Sequence, residues 1–161
     1  DVYKRQEKLG LGTLRESDEP LVNDLLDLLG ATEVDMTLFF RHLCSINEPD
    51  VARVADAFYE GSEPDTSAWN RWLKRWWERV DGQPDRDGMR RANPKYVLRN
   101  WMAQLAIDAA EERGDFSVAE ELHELLKRPY DEQPEHEAKW FQKRPEWARH
   151  RVGCSMLSCS S

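Results

Sequence analysis

Residues 93–114 read NPKYVLRNWMAQLAIDAAEERG. Asn93 and Pro94 together form a helix start signal, Asn as the cap and Pro at the first helical position, where its missing N–H costs nothing. Behind them Val97, Leu98, Trp101, Met102, Leu105 and Ala109 recur at spacings of three and four, the helical period. Gly114 is suited to a left-handed terminator. The stretch therefore predicts the longest helix of the chain, from Asn93 to about Arg113, with Leu98, Trp101 and Leu105 buried.

The same period extends outward in both directions. Asp18 or Ser17 is placed to cap a helix with Glu19 and Pro20 in its first turn and Leu21, Val22, Leu25, Leu26, Leu28 and Leu29 along it, before Gly30 stops it. Asp35 to Ile46 repeats the pattern with Met36, Phe39, Phe40 and Leu43, and Pro49 to Tyr59 does so with Val51, Val54, Ala55 and Phe58. Asp65 or Thr66 then opens a helix with Trp69, Trp72, Leu73, Trp76 and Val80 on one stripe, ended by 81–84. Downstream, Asp115 caps a helix through Val118, Leu122, Leu125 and Leu126, and a short helix is expected around Glu135 to Phe141. No sustained period-two alternation, hairpin turn or internal repeat is visible. The fold class expected is all-α, an irregular helical bundle.

Length and charge narrow the functions. The 161 residues suit one domain, and 34% charged residues against about 25% typically give a heavily ionic surface. Lys and Arg number 23 against 31 Asp and Glu, a net charge of −8 that repels phosphate backbones, so nucleic acid is not expected as a partner. No apolar run approaches a membrane span, so a membrane partner is not expected either. Three cysteines cannot make a disulfide framework, which suits a reducing, cytoplasmic setting.

Most motifs that would carry chemistry fail on inspection. His123-Glu124 begins like the zinc-protease H-E-x-x-H, but Lys127 stands where the second His belongs. His42, His136 and His150 have no ligand spacing, so no metal residue is assigned. Gly10-Leu11-Gly12 lacks the rest of a phosphate loop, and no Ser sits in a G-x-S-x-G elbow, so no catalytic or cofactor-binding residue is assigned either. Trp77 lies about 100° round the helix from Trp76, more aromatic surface than one contact needs. The Trp set reads as core, as an interface to another polypeptide, or as a base-stacking platform. The ending, with Cys154 and Cys159 among small polar residues and Arg149 and Arg151 nearby, reads as an exposed redox tail or as an inert frayed end.

The run Met89 to Ala110, with its N-P-x-x-V-L-R-N core at Asn93 to Asn100, resembles the C-terminal third of the selenoprotein O family. So do Gly114-Asp115-Phe116, Arg128-Pro129-Tyr130, Pro145-Glu146-Trp147-Ala148 and the closing Ser158-Cys159-Ser160-Ser161, together with Leu9 to Leu11 and Val34 to Leu43. The resemblance implies a parent with a protein-kinase-like (pseudokinase) fold that uses ATP and Mg2+ to transfer AMP to Ser, Thr or Tyr hydroxyls of protein substrates. It implies that the ATP- and metal-binding residues lie upstream, so neither ATP nor Mg2+ is expected to bind this part, which alone should be inactive. The missing N-terminal kinase-like region then becomes its partner. Cys159 occupies the position of the family's selenocysteine, which in Cys forms is thought to bond a Cys near the activation loop. Cys154 departs from the pattern and lies near enough to compete for Cys159. The alternative to a part of this enzyme is a free-standing helical protein-interaction module.

The division expected along the chain has three parts. Residues 1–6 read as the translation of a sequencing adapter, residues 7–143 as the helical region of a truncated protein, and residues 144–161 as a flexible Cys-containing tail.

Overall fold

A computed structural model describes residues 6–13 and 15–154, which fall into two compact units, Asp1–Asn93 and Pro94–Ser161. The described residues are mostly helical, and the one ladder contact among them is an isolated antiparallel bridge between Val34 and Phe58. The all-α expectation holds. Among the described residues no helix is long and apolar enough to cross a membrane.

The first unit contains a 3₁₀ turn Glu16–Asp18, α1 Glu19–Ala31, α2 Met36–Leu43, a 3₁₀ helix Val51–Ala57, α3 Thr66–Arg79 and α4 Arg86–Ala92. Its centre is the stripe of α3. Trp69 lies 5.3 Å from Phe39 and 5.2 Å from Phe58 by ring centres, and Trp72 stacks on Trp76 at 6.2 Å and 7°. Each buried indole N–H finds an acceptor in a different segment: Trp69 donates to Thr32 Oγ1 (3.4 Å), Trp72 to the Leu21 carbonyl (2.8 Å) and Trp76 to the Leu9 carbonyl (2.9 Å). A buried Trp needs such a partner. Core packing is realised for Trp69, Trp72 and Trp76, while Trp77 is half-buried.

Local capping follows the sequence at some helix starts and not at others. Asp35 and Asp65 accept the N–H groups of Leu38 (3.0 Å) and Ala68 (2.9 Å), as a cap should. Neither Ser17 nor Asp18 caps α1. Asp18 accepts the N–H of Arg15 at 2.9 Å and takes the Arg79 guanidinium from α3 instead. Gly30 does not stop α1, which runs on to Ala31. Pro49 to Tyr59 forms a 3₁₀ helix rather than an α-helix, and α4, capped by Asp85 through the Gly88 N–H (2.9 Å), has too few apolar residues to show a period.

The second unit contains α5 Asn100–Arg113, α6 Ser117–Leu126, α7 Pro134–Trp140 and α8 Glu146–Arg149. Tyr96, Trp101, Met102, Leu122, Leu125, Trp140, Ala148 and Cys154 form its core. Gly114 takes the left-handed conformation that ends α5 (φ 60°), and Asp115 accepts the Ser117 N–H at 2.9 Å to open α6.

The start of α5 corrects the expectation drawn from Asn93-Pro94. The helix begins at Asn100, and Asn93 instead closes α4, its amide donating to the carbonyls of Met89 (2.9 Å) and Lys8 (3.0 Å). The N–H groups of Lys95 and Tyr96 both point at the Pro129 carbonyl (2.8 and 3.1 Å), and Arg99 donates to the Gln142 carbonyl at 2.8 Å. These distant acceptors hold the segment out of the helix. Leu98 is in consequence 48% exposed, Trp101 is buried as expected, and Leu105 is only partly buried. Asn93→Ala should therefore cost about 1–3 kcal/mol by removing the donor to the Lys8 carbonyl, the Met89 carbonyl keeping the residue-93 backbone N–H, as measured by chemical denaturation. Asn93→Asp, which caps as well as Asn but cannot donate, should be no better; restoration of stability by Asp would reinstate the capping role.

Part of the expected tail is also folded. Ala148 of α8 and Cys154 are both buried, and Arg151 bonds Asp108 of α5 through both terminal nitrogens (2.6 and 2.7 Å). Residues 155–161, with Cys159, lie outside the described residues, as do residues 1–5 of the expected adapter scar.

Candidate functional site

Cys154 and Cys159 are the two residues for which the sequence suggests chemistry. Cys159 lies outside the described residues. Cys154 is in the core of the second unit, 5% exposed, with its N–H bonded to the Arg151 carbonyl at 3.0 Å. Burial removes it from the solvent exposure that a reactive thiol needs. The Arg151 guanidinium that was expected to favour its thiolate is committed to Asp108, and the bond holds that carboxyl below the usual carboxylate range. Cys44 is fully buried on α2, and its thiol donates to the Phe40 carbonyl at 3.1 Å. Burial pushes the Cys44 thiol up, against the opposing pull of Arg41, so it is an inert core group.

The Gly10-Leu11-Gly12 turn shows why a glycine pair is a weak sign of a phosphate site. Two of its amides are already used: Gly10 donates to the Glu7 carbonyl (3.1 Å) and Leu11, like Leu9 before it, to the Gln6 carbonyl (3.2 Å each). Leu9 and Leu11 are buried on either side, and a Cβ on Gly10 would come within 2.7 Å of Met89 Sδ. The glycine is there for a left-handed φ of 62° and for close contact with α4.

The buried cations are likewise spent on structure. Arg41, 5% exposed, donates to the carbonyls of Arg90 (3.2 Å) and Asn93 (3.0 Å), and Arg86 donates to those of Cys44 (2.8 Å) and Ile46 (2.6 Å). Lys95 reaches Glu132 (2.8 Å) and Glu137 (2.7 Å) and lies 5.2 Å from the Phe141 ring centre. Although burial works against its charge, the two carboxylates keep the Lys95 ammonium above its ordinary value. Sequence reasoning did not find these side chains, because each is defined by carbonyls or carboxylates remote in the chain.

Among the described residues no three His, Cys, Asp or Glu side chains are grouped to hold a metal ion. His123 is exposed, and His136 lies 3.4 Å from Glu121. Transfer of a nucleotide needs a phosphate cradle, a metal held by acids and a positioned cation. Gly10 and Leu11 have their amides bonded, and Arg41, Arg86 and Lys95 are held by carbonyls and carboxylates of the fold, so these groups do not form such a cradle.

Known proteins place the chain. It is 47% identical to the protein nucleotidyltransferase YdiU of Flavobacterium johnsoniae over 167 residues, which cover 96% of this chain and 32% of that protein. It is 45% identical to the protein of the same name from Azoarcus sp. (strain BH72), covering 100% of this chain and 34% of the relative, and 47% identical to that of Rhodopirellula baltica, covering 96% and 33%. The family described as "Protein adenylyltransferase SelO" matches residues 3–127, and the chain belongs to that family. It spans about a third of the length of the curated relatives it matches.

Proposed function

We propose that this chain is the C-terminal, all-α part of a protein adenylyltransferase with a protein-kinase-like fold, which transfers AMP from ATP, with Mg2+, to Ser, Thr or Tyr hydroxyls of proteins. The observation that carries the reading is the similarity along 96–100% of the chain to proteins named nucleotidyltransferases, of which it spans only about a third. The transfer chemistry belongs to the remainder of the parent. In this chain Arg41 and Arg86 bind carbonyls, and the Trp69, Trp72 and Trp76 indoles bind a hydroxyl and two carbonyls, so these residues build a scaffold.

Incubation with ATP labelled in its α-phosphate, with Mg2+, tests the reading. The 161-residue chain alone should take up no label, whereas a parent protein containing it should label itself or an added protein. Label on the chain alone, or none on the parent, would refute it. The regulatory part of the proposal rests on Cys159, whose disulfide with a thiol elsewhere in the parent would form when an oxidant removes two electrons and two protons. Cys159→Ser in the parent should abolish most of the difference in AMP transfer between reduced and oxidised protein. Cys154→Ser and Cys44→Ser should leave that difference in place, since both thiols are buried.

A further inference from the structure

α1 and α3 run antiparallel and leave a cleft between them. Trp69 bonds Thr32, Arg75 bonds Asp24 and Arg79 bonds Asp18, so the partners ascend along one chain segment as they descend along the other. On α1 the cleft is lined by Asp24, Asp27, Leu28 and Ala31, and on α3 by Ala68, Arg71, Trp72 and Arg75. Each set follows the spacing i, i+3, i+4, i+7, which is one face of a helix. The space between the two faces is about 350 Å3, on the scale of a small-ligand pocket, and it opens to solvent.

The charges of the cleft divide by wall. Arg75 and Asp24 meet across it and bound one end. One turn further on, Asp27 and Arg71 are both exposed, and among the described residues neither is in an ion pair. A carboxylate on one wall and a guanidinium on the other therefore stand ready for a ligand. Half-buried Leu28 and Ala68, with Trp72 at 2% exposure beneath, supply the apolar floor.

We infer that this cleft binds an α-amino acid with an apolar side chain, its ammonium on Asp27, its carboxylate on Arg71 and its side chain over Leu28, Ala68 and Trp72. The walls disfavour simpler ligands. A phosphate or other anion would meet the carboxylates of Asp24 and Asp27, and a cation would meet the two arginines. An uncharged apolar molecule would strip water from Asp27 and Arg71 without replacing its hydrogen bonds. A polypeptide laid along the cleft is blocked at one end by the Arg75–Asp24 pair. A zwitterion answers both charges, and an α-amino acid carries them on a single carbon from which the side chain turns to the floor. The cleft uses only α1 and α3, so it stands or falls apart from the proposed adenylyltransferase activity.

Titration of the isotope-labelled 161-residue chain with L-leucine, followed by NMR, tests the inference. The backbone amide resonances of Leu28, Ala31 and Ala68 should shift and saturate, with those of α6 unmoved. Leucinamide lacks the carboxylate, N-acetyl-leucine lacks the ammonium and glycine lacks the side chain, and each should bind about tenfold or more weakly than leucine. Arg71→Gln should weaken leucine by about tenfold and erase its advantage over leucinamide. Asp27→Asn should likewise erase its advantage over N-acetyl-leucine. Both positions are exposed, so the variants should keep the fold, which unchanged resonances away from the cleft verify. The analogue series on the wild type decides the question even for a variant that unfolds. Shifts that do not saturate up to the solubility limit of leucine overturn the site, as do analogues that bind as well as leucine or folded variants that keep both preferences.

Discussion

Trp76→Ala should lower the stability of the first unit by about 3–5 kcal/mol, the range for truncating a large aromatic in a core. Trp76 is fully buried, stacks on Trp72, meets Trp77 at 5.9 Å between ring centres, and ties α3 to the chain start through the Leu9 carbonyl. Two losses contribute, and they separate. Trp76→Phe keeps much of the apolar ring but strands the Leu9 carbonyl, so it should cost less than Trp76→Ala while still costing about 1–3 kcal/mol. Trp77→Ala, at a half-buried position one residue on, should cost well under half as much as Trp76→Ala. Urea denaturation followed by far-UV circular dichroism measures all three. A Trp76→Ala effect under about 1 kcal/mol would mean that the α3 stripe is not the core of this unit.

Arg79→Met should cost a similar amount at neutral pH, about 3–5 kcal/mol, because it leaves a buried carboxylate without its counter-ion. The Asp18 side chain is 1% exposed and receives Arg79 in a two-pronged contact, Nε to Oδ1 at 2.5 Å and Nη2 to Oδ2 at 2.8 Å. Arg79 also donates to the Thr13 carbonyl at 2.9 Å. The guanidinium holds the Asp18 carboxyl below its ordinary value, with burial working the other way. A carboxyl that is more acidic folded than unfolded adds stability above its unfolded value of about 3.9, and that stability is lost as pH falls through the folded value. The wild type should therefore weaken on acidification below about pH 4–5. In Arg79→Met the remaining burial favours the protonated acid, so the gap between variant and wild type should narrow over the same window. Asp18→Asn combined with Arg79→Met should cost less than Arg79→Met alone, since no buried charge is then unpaired. A gap independent of pH would show that Arg79 acts through packing of its stem.

Little of the candidate chemistry was legible from the residues. Cys154 looked like part of an exposed redox pair because its neighbours in sequence are small and polar, yet it belongs to a core cluster with Trp101, Met102 and Trp140. The Gly10-Leu11-Gly12 turn lacks the motif of a phosphate loop, and its bonded Gly10 and Leu11 amides agree with that reading. The family resemblance was readable in the N-P-x-x-V-L-R-N run, and the chain's membership of the SelO family agrees with it. The structure explains what those residues do locally. Asn93 closes α4, Tyr96 sets its hydroxyl 2.9 Å from the Glu132 carbonyl and 3.0 Å from that of Gln133, and Arg99 holds Gln142.

Periodicity and end signals were enough to establish an all-helical chain, the Trp stripe of α3, its opening at Asp65 or Thr66 and the glycine end of α5. Those features depend on neighbours within one or two turns, which a sequence displays directly. Where α5 begins and what Asp18 binds depended on partners 33 to 61 residues away, Pro129 for Lys95 and Tyr96, and Arg79 for Asp18, and the burial of Cys154 likewise depended on the folded chain. A backbone N–H or a carboxylate accepts whichever partner the folded chain brings nearest. Asn93-Pro94 has a sound local signal for a helix start, but the carbonyls of Met89, Lys8 and Pro129 offered buried hydrogen bonds that one more helical turn could not match.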